Sequence, residues 1–162
     1  MSKVKIAAWS LAAMLAIATP LVAEWEGKRN EPYRDIAGVM TVCYGETRVE
    51  MRRYSDAECK AMLSNALAGT YGEATRRCVP SLEERPFQWA ASTSLAYNVG
   101  TGAFCNSTAA RRFNAGDWKG GCEAFKLWVK AGGRYIQGLA NRRYAGDSDR
   151  VPEYAVCVRG IA

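Results

Sequence analysis

The sequence contains no histidine, and this absence removes several classes of catalytic site. Hydrolases in which a histidine base activates serine or cysteine are excluded. A catalytic zinc centre is disfavoured because imidazole is the usual ligand of catalytic zinc. The C-x-x-C spacing of zinc and redox motifs is also missing. An acid–base enzyme built from this chain must therefore use carboxyl groups, and we expect neither a metal nor a cofactor.

A long basic run is absent as well, although the chain is basic overall. Lysine and arginine number 22 against 16 aspartates and glutamates, which gives a net charge of +6. Such a charge attracts polyanions, among them nucleic acid, anionic lipid and an acidic cell wall. A nucleic-acid-binding protein is one alternative, but the chain has no helix-turn-helix, zinc-finger or aromatic-rich RNA motif. We therefore predict no nucleic-acid partner.

Six cysteines are spread through the chain. An even number of dispersed cysteines is typical of three disulfides in an oxidising compartment, while six reduced thiols in a cytosolic protein are the alternative. The sequence does not determine the pairing. The first pair that we predict is Cys105–Cys122, at the ends of short helices expected to pack as a hairpin. The six are Cys43, Cys59, Cys78, Cys105, Cys122 and Cys157.

The N-terminal segment has the pattern of an export signal, with Lys3 and Lys5 before an uncharged apolar stretch from Ile6 to Ala23. It is a signal peptide cleaved after Ala18 or Ala23, a retained membrane anchor, or a buried helix of a soluble protein. As a helix it reaches roughly 27 Å, just short of a ~30 Å hydrocarbon core. We predict a loosely held anchor over residues 1–23, followed by a catalytic domain over residues 24–162.

Local patterns predict the elements of that domain. Residues 24–29 continue the N-terminal helix, and residues 31–45 form a small hairpin. Ser55 and Glu58 form a capping box that opens a helix toward Gly69, and Ser81 and Glu84 form a second that opens a long central helix ending near Tyr97. Further helices are predicted at residues 107–113, 117–129, 139–144 and 152–158. The predicted class is α+β, with a small β-hairpin lobe and a larger helical lobe that contains the central helix.

Glu26 and Asp35 are the carboxyl groups whose placement suggests chemistry. A glutamate at a helix end that faces an aspartate in a hairpin across a cleft matches the needs of glycoside hydrolysis. One carboxyl group stays protonated and donates to the leaving oxygen, and the other stays ionised. Thr41, six residues after Asp35, offers a hydroxyl that can orient a water molecule. Carboxylates at such a spacing are also common as surface residues or salt-bridge partners.

Three motifs give these residues a family context. Residues 26–45 closely resemble the catalytic signature of phage lysozymes of the T-even and lambdoid type, E-G-x-R-x-x-x-Y-x-D-x-x-G-x-x-T-x-G-x-G. Residues 98–108 resemble the family block F-N-x-G-x-x-x-F-x-x-S-T, and residues 138–143 resemble G-L-x-x-R-R. Glu26, Asp35 and Thr41 match the catalytic glutamate, aspartate and threonine of the family. Cys43, Tyr44 and Glu46 depart from its commoner residues, which affects the details of sugar binding.

The resemblance implies a lysozyme-like fold and an N-acetylmuramidase that cleaves the β-1,4 bond between N-acetylmuramic acid and N-acetylglucosamine with inversion. It implies that Glu26 is the general acid and that Asp35 and Thr41 position and activate water. It also implies that Arg142 or Arg143 pairs with a carboxylate near Glu26, although a salt bridge capping the core is equally consistent. Tyr97 and Ser107 align with positions that line the substrate cleft.

The anchor and the lysozyme motifs together resemble signal-anchor-release endolysins of lambdoid phages. This resemblance implies a monomer that the host exports and tethers to its inner membrane, facing the periplasm and inactive. Release then yields a soluble periplasmic enzyme that degrades peptidoglycan and lyses the host. A peptidoglycan-binding module without catalysis is the alternative, but it would not need Glu26, Asp35 and Thr41 intact.

Overall fold

A computed structural model describes residues 3–161, with side chains described from Ala8 onward. The architecture is α+β, as predicted, with small antiparallel hairpins and a helical majority. The helices are α1 (Lys3–Trp25), α2 (Asp56–Ala66), α3 (Glu73–Cys78), α4 (Pro86–Val99), α5 (Thr101–Cys105), α6 (Thr108–Asn114), α7 (Trp118–Glu123), α8 (Gln137–Ala140) and α9 (Glu153–Cys157). The strands are β1 (Arg29–Arg34), β2 (Met40–Cys43), β3 (Lys130–Ala131) and β4 (Arg134–Tyr135). The 3-10 segments are Pro80–Glu84 and Ala124–Leu127, and the π-helical segments are Leu67–Gly72 and Asn141–Ala145.

The N-terminal helix α1 packs against the helical lobe, chiefly on α4. Met14, Ala18 and Val22 are fully buried in this contact. Within the described residues, α1 is the one helix long and apolar enough to cross a membrane by length and composition. The side chains of Lys3 and Lys5, which form the predicted basic flank, lie outside the described part. The buried face of this apolar segment is therefore part of the core of its own domain.

The prediction that the helix continues to residue 29 was wrong. Helix α1 ends at Trp25, and the Glu26 N–H still donates to the Val22 carbonyl at 2.9 Å. Arg29 already belongs to the hairpin, where it is the register partner of Cys43. Strand pairing therefore overrides the local helical pattern after Glu26. The predicted hairpin itself is present, as β1 and β2 joined by a turn in which Gly38 has a φ of +79°.

The two predicted capping boxes have different outcomes. Ser55 caps α2 as predicted, and Glu58 returns the hydrogen bond to the Ser55 N–H. The second prediction was wrong, because Ser81 lies in a 3-10 segment and the central helix α4 begins only at Pro86. Proline disfavours the helical conformation of the residue before it, and Arg85 accordingly has φ −134° and ψ 77°. A helix start at Pro86 costs no hydrogen bond, since the first N–H groups of a helix have no partner within the helix.

Helix α4 forms the centre of the core. Its residues from Gln88 to Ala96 are all buried, and small side chains on every side let its neighbours approach closely. The Trp89 indole lies between α4 and the first π-helical segment, Leu67–Gly72, and its N–H donates to the Gly72 carbonyl at 3.0 Å. The end of this rigid helix carries Tyr97 toward the hairpin lobe.

The C-terminal third contains shorter elements than predicted. Ser107 and Asp117 cap α6 and α7 as expected, but α7 ends at Glu123 and a 3-10 segment follows. Gly132 and Gly133, predicted as a break, form the turn of a second small hairpin. Both glycines have positive φ, which favours glycine sterically. The helix predicted at residues 139–144 is present as α8 and a π-helical segment, and α9 lies within the last predicted helix.

The structure forms three disulfides, but Cys105–Cys122 is not among them. The pairs are Cys43–Cys59, Cys78–Cys105 and Cys122–Cys157, with Cα–Cα distances of 5.0, 5.6 and 5.7 Å. The prediction was wrong because α6 stands between α5 and α7, so the two cysteines do not close one helical hairpin. Cys105 instead joins the end of α3, and Cys122 joins α9.

Candidate active site

Glu26 stands directly after α1, where the helix gives way to the hairpin. Its side chain is 26% exposed, and Arg142 Nη1 lies 2.6 Å from its Oε1. Glu26 and Arg142 are 116 positions apart in the sequence, so the contact joins the first helix to the end of the helical lobe. The arginine therefore holds one of the two carboxylate oxygens of Glu26.

Arg142 belongs to a buried charge cluster that also contains Arg143 and Glu153. Arg142 Nε lies 3.1 Å from Glu153 Oε1, and Arg143 Nη1 lies 2.7 Å from Glu153 Oε2. The Ser94 hydroxyl donates to Glu153 Oε1 at 2.6 Å, and Arg143 also donates to Asn98 Oδ1. Glu153 is fully buried. With Glu26, two carboxylates balance two guanidinium groups, which offsets the cost of removing these charges from water.

The side chains of Asp35 and Thr41 both form hydrogen bonds with the backbone of Val39 in the hairpin. Asp35 Oδ1 accepts hydrogen bonds from the Ala37 and Val39 N–H groups at 2.8 and 2.9 Å. The Thr41 hydroxyl donates to the Val39 carbonyl at 3.0 Å, and its residue is almost completely buried. Both side chains are therefore held by the turn backbone. Asp35 Oδ2 receives no hydrogen bond from the described residues.

Tyr97 lines a cleft cavity of about 380 Å³. Its hydroxyl donates to the Tyr44 carbonyl, and its ring packs on Tyr71 with centroids 4.8 Å apart. Burial, followed by the negative charges of Glu26 and Glu46, raises the pKa of Tyr97. Glu26 and Glu46 therefore both lie close enough to Tyr97 to act on it electrostatically. The cavity is lined by Gly45, Glu46, Thr47, Arg48, Ala66, Thr70, Tyr71 and Tyr97.

Ser107, the other residue predicted to line the cleft, has a structural role in this arrangement. Its hydroxyl accepts from the Ala110 N–H at 3.1 Å and so caps α6. Its side chain is almost fully buried, and it is not among the residues that line the cavity beside Tyr97. Ser107 and Thr108 have the sequence pattern of a helix start. Capping of α6 therefore accounts for Ser107 without a contact to substrate.

Comparison with known proteins places these features in one family. Residues 23–146 match the phage lysozyme family. The chain belongs to this family. It is 45% identical over 114 residues to the SAR-endolysin of Escherichia phage Mu. This match covers 69% of this chain and 66% of the phage Mu protein, just under two thirds of that protein's length. It is 40% identical over 121 residues to the SAR-endolysin of Enterobacteria phage P21, covering 73% of this chain and 72% of the relative.

Solved structures of related proteins agree with the fold. A point mutant of P22 lysozyme superposes with a TM-score of 0.73 at 26% identity, covering 87% of this chain and 94% of that chain. The active form of the P1 phage endolysin Lyz superposes with a TM-score of 0.67 at 22% identity, covering 94% and 95%. The predicted lysozyme-like fold is confirmed. Membership of this family supports an endolysin function and a glycoside hydrolase of the lysozyme type.

Sequence reasoning identified this part of the molecule but missed two of its acidic residues. Glu153 follows Pro152 in the last predicted helix and has the sequence signature of an ordinary first-turn glutamate. Glu46 was noted only as a departure from the family pattern. The adjacent Arg142 and Arg143 gave no signal for Glu153, because their burial, which calls for carboxylate partners, is visible only in the folded chain.

Proposed function

We propose that this chain is an endolysin that hydrolyses the β-1,4 bond between N-acetylmuramic acid and N-acetylglucosamine in peptidoglycan. The observation that supports this most directly is the fixed Glu26, held by buried Arg142 at the end of α1, next to a hairpin in which Asp35 and Thr41 are held by the turn backbone. In this proposal Glu26, once protonated, donates to the glycosidic oxygen as the bond to the anomeric carbon breaks.

The hairpin supplies the nucleophilic half of the reaction. A water molecule between Asp35 Oδ2 and the Thr41 hydroxyl attacks the anomeric carbon from the face opposite the leaving group and transfers a proton to Asp35. Because the Thr41 hydroxyl already donates to Val39, it can only accept from the water, which turns a lone pair of the water toward the sugar. Attack on the opposite face inverts the anomeric configuration. The departing N-acetylglucosamine leaves with the proton from Glu26.

The product of this reaction can be identified directly. We expect purified peptidoglycan treated with the enzyme to yield fragments that end in reducing N-acetylmuramic acid, with the α-anomer appearing first in time-resolved NMR. Mass spectrometry of the fragments separates this from other wall-degrading activities. Products with a 1,6-anhydro ring, a reducing N-acetylglucosamine end, or released peptides would contradict the proposal.

We further propose that the enzyme is exported, tethered to the inner membrane by the segment from Ile6 to Ala23, and inactive until this segment leaves the bilayer. The similarity to two SAR-endolysins and the composition of α1 support this. The segment ends three residues before Glu26, and the folded domain uses the same residues as core, with Leu21 and Val22 buried directly before the site. Residues that span lipid cannot at the same time pack on α4, so Glu26 reaches its place only after release.

The two environments are similar in free energy. Six leucine, isoleucine and valine side chains at ~0.3–0.6 kcal/mol each favour insertion by roughly 2–4 kcal/mol. On the protein, Leu21 and Val22 are the two of these side chains that are described as buried, and at ~1.5–3 kcal/mol each they stabilise the packed state by roughly 3–6 kcal/mol. The difference is small enough for loss of the membrane potential to shift the balance. The six are Ile6, Leu11, Leu15, Ile17, Leu21 and Val22.

The double variant Ala12→Leu, Ala16→Leu tests the tether. Both alanines are exposed on the packed helix, so leucine there strengthens insertion without disturbing the packed state. Two leucines add about 1 kcal/mol of insertion, and we expect a several-fold larger membrane fraction and delayed lysis.

The matched control adds the same two leucines at the exposed positions Ala115 and Ala131, outside the apolar segment, and we expect normal timing from it. Cell fractionation and culture turbidity measure both effects. Lysis by the double variant at the rate of the unmodified enzyme would contradict the tether, as would wild-type protein cut after Ala18 or Ala23.

A further inference from the structure

The cleft cavity beside Tyr97 contains two opposite charges that the hydrolytic mechanism does not use. Glu46 and Arg48 both line this space of about 380 Å³. Among the side chains that the structure describes, from Ala8 to Ile161, none forms a hydrogen bond or an ion pair with the side chain of Glu46 or Arg48. Glu46 is half-buried, and burial raises its pKa. Both are therefore available to a ligand that enters the cavity.

The position of the cavity relates it to the proposed substrate. Tyr97 lines its wall, and Tyr97 is within electrostatic range of Glu26. Tyr71, whose ring packs on that of Tyr97 in the same wall, also responds to the charges of both Glu46 and Glu26. The backbone of Glu46 also pairs with that of Val42, the neighbour of Thr41, through hydrogen bonds of 3.0 and 2.9 Å, so the cavity adjoins the strand that carries Thr41. A glycan strand whose scissile bond lies between Glu26 and this hairpin is then close to the cavity.

The sugars themselves carry no charge that could pair with Glu46 or Arg48. Both sugars are neutral in peptidoglycan, because the amino groups are acetylated and the lactyl carboxyl of muramic acid is joined to the stem peptide. Charged groups occur only on that peptide. In many walls its third residue is a diamino dicarboxylic acid, whose side chain ends in an ammonium and a carboxylate on one carbon atom.

We propose that this cavity is a subsite for the side-chain zwitterion of the diamino dicarboxylic residue in the stem peptide. Glu46 accepts hydrogen bonds from the ammonium group, and Arg48 donates to the carboxylate, a pairing that suits the two parallel N–H groups of guanidinium. The hydroxyl groups of Thr47 and Thr70 complete the polar wall. This inference rests on the proposed function, because it concerns the substrate of the same site.

The subsite predicts a preference among three substrates. The first is peptidoglycan with meso-diaminopimelate stem peptides, the second is peptidoglycan with lysine at the same position, and the third is glycan stripped of its peptides by an amidase. Lysine keeps the ammonium but lacks the carboxylate. Glu46 therefore has a partner in the first two substrates, and Arg48 has a partner in the first alone.

Two variants, Glu46→Gln and Arg48→Gln, test the assignment through KM and kcat on each substrate. We expect Arg48→Gln to raise KM on the diaminopimelate wall about five- to tenfold, because the variant loses a partly solvated charged hydrogen bond. Its KM on the other two substrates should stay within about twofold of the parent value. We expect Glu46→Gln to raise KM on both peptide-bearing walls and not on stripped glycan. The value of kcat should stay within about twofold throughout.

Matched controls remove the same charges elsewhere. Arg111→Gln and Glu84→Gln change exposed residues outside the cavity, and they account for the general attraction between a basic enzyme and the wall. Equal KM changes on all three substrates would overturn the proposal, and so would no change on any of them. If the unmodified enzyme cleaves none of the three substrates, the proposed hydrolysis has failed, which is a different result from a missing peptide preference.

Discussion

A Glu26→Gln variant is expected to retain no more than about one per cent of the wall-clearing rate, because loss of general acid catalysis costs ~10²-fold or more. Glutamine has the shape of glutamate but no proton to donate to the leaving oxygen. Its amide oxygen can still accept from Arg142, which also keeps its contact with Glu153. The fold should therefore persist, and circular dichroism and thermal unfolding of the variant should resemble those of the parent.

Glu24→Gln is the matched control for this experiment. Glu24 lies in the last turn of α1, two residues before Glu26, but its side chain is exposed. Removing that charge changes the same region of the surface without touching the Arg142 contact, and we expect activity within about twofold of the parent. A Glu26→Gln enzyme that keeps more than about one per cent of the normal wall-clearing rate would eliminate Glu26 as the proton donor.

The second large effect is expected at Glu153. Glu153→Gln leaves Arg142 and Arg143 buried with one carboxylate fewer, and breaking a buried ion pair in this way costs about 3–5 kcal/mol of unfolding free energy. For a domain of this size the corresponding fall in Tm is roughly 6–20 °C. Denaturant unfolding and calorimetry measure the two quantities.

A double variant tests whether surplus charge causes the loss. Arg143→Met in the Glu153→Gln background removes one of the two positive charges, and we expect it to recover part of the stability lost by Glu153→Gln alone. The control is Glu123→Gln, which breaks an exposed pair with Lys126 and should cost less than about 1 kcal/mol. If Glu153→Gln destabilises no more than Glu123→Gln, the buried cluster does not stabilise the fold in the way described.

Local signals in the sequence predicted the elements that depend on neighbouring residues. The capping box of Ser55 and Glu58 joins positions three apart, and the turn at Gly38 needs a residue that tolerates positive φ. Pro86 was a further local signal that the sequence interpretation missed, since proline disfavours a helical residue before it. Such effects follow from the geometry of a few adjacent peptide units.

The candidate catalytic residues were predicted from the sequence, but the buried carboxylate that helps to position Glu26 through Arg142 was not. Glu26, Asp35 and Thr41 lie within one continuous motif of the phage lysozyme family, and their spacing is visible in the chain. Glu153 lies far from that motif and resembles any glutamate at a helix start. Only packing shows that Glu153 is fully buried against Arg142 and Arg143.

The sequence by itself determined the family, the α+β class, the candidate carboxylates and an apolar segment suited to a membrane. Tertiary structure decided the disulfide pairs, the partner of Glu26 and the packing of α1 on the core. The physical reason is the range of the interactions. A turn or a cap is stabilised by contacts a few residues apart, whereas Arg142 reaches Glu26 across 116 positions and Cys122 reaches Cys157 across 35. Contacts between residues so far apart form only when the helices pack. The long chain between two such residues does not by itself determine which residues come into contact.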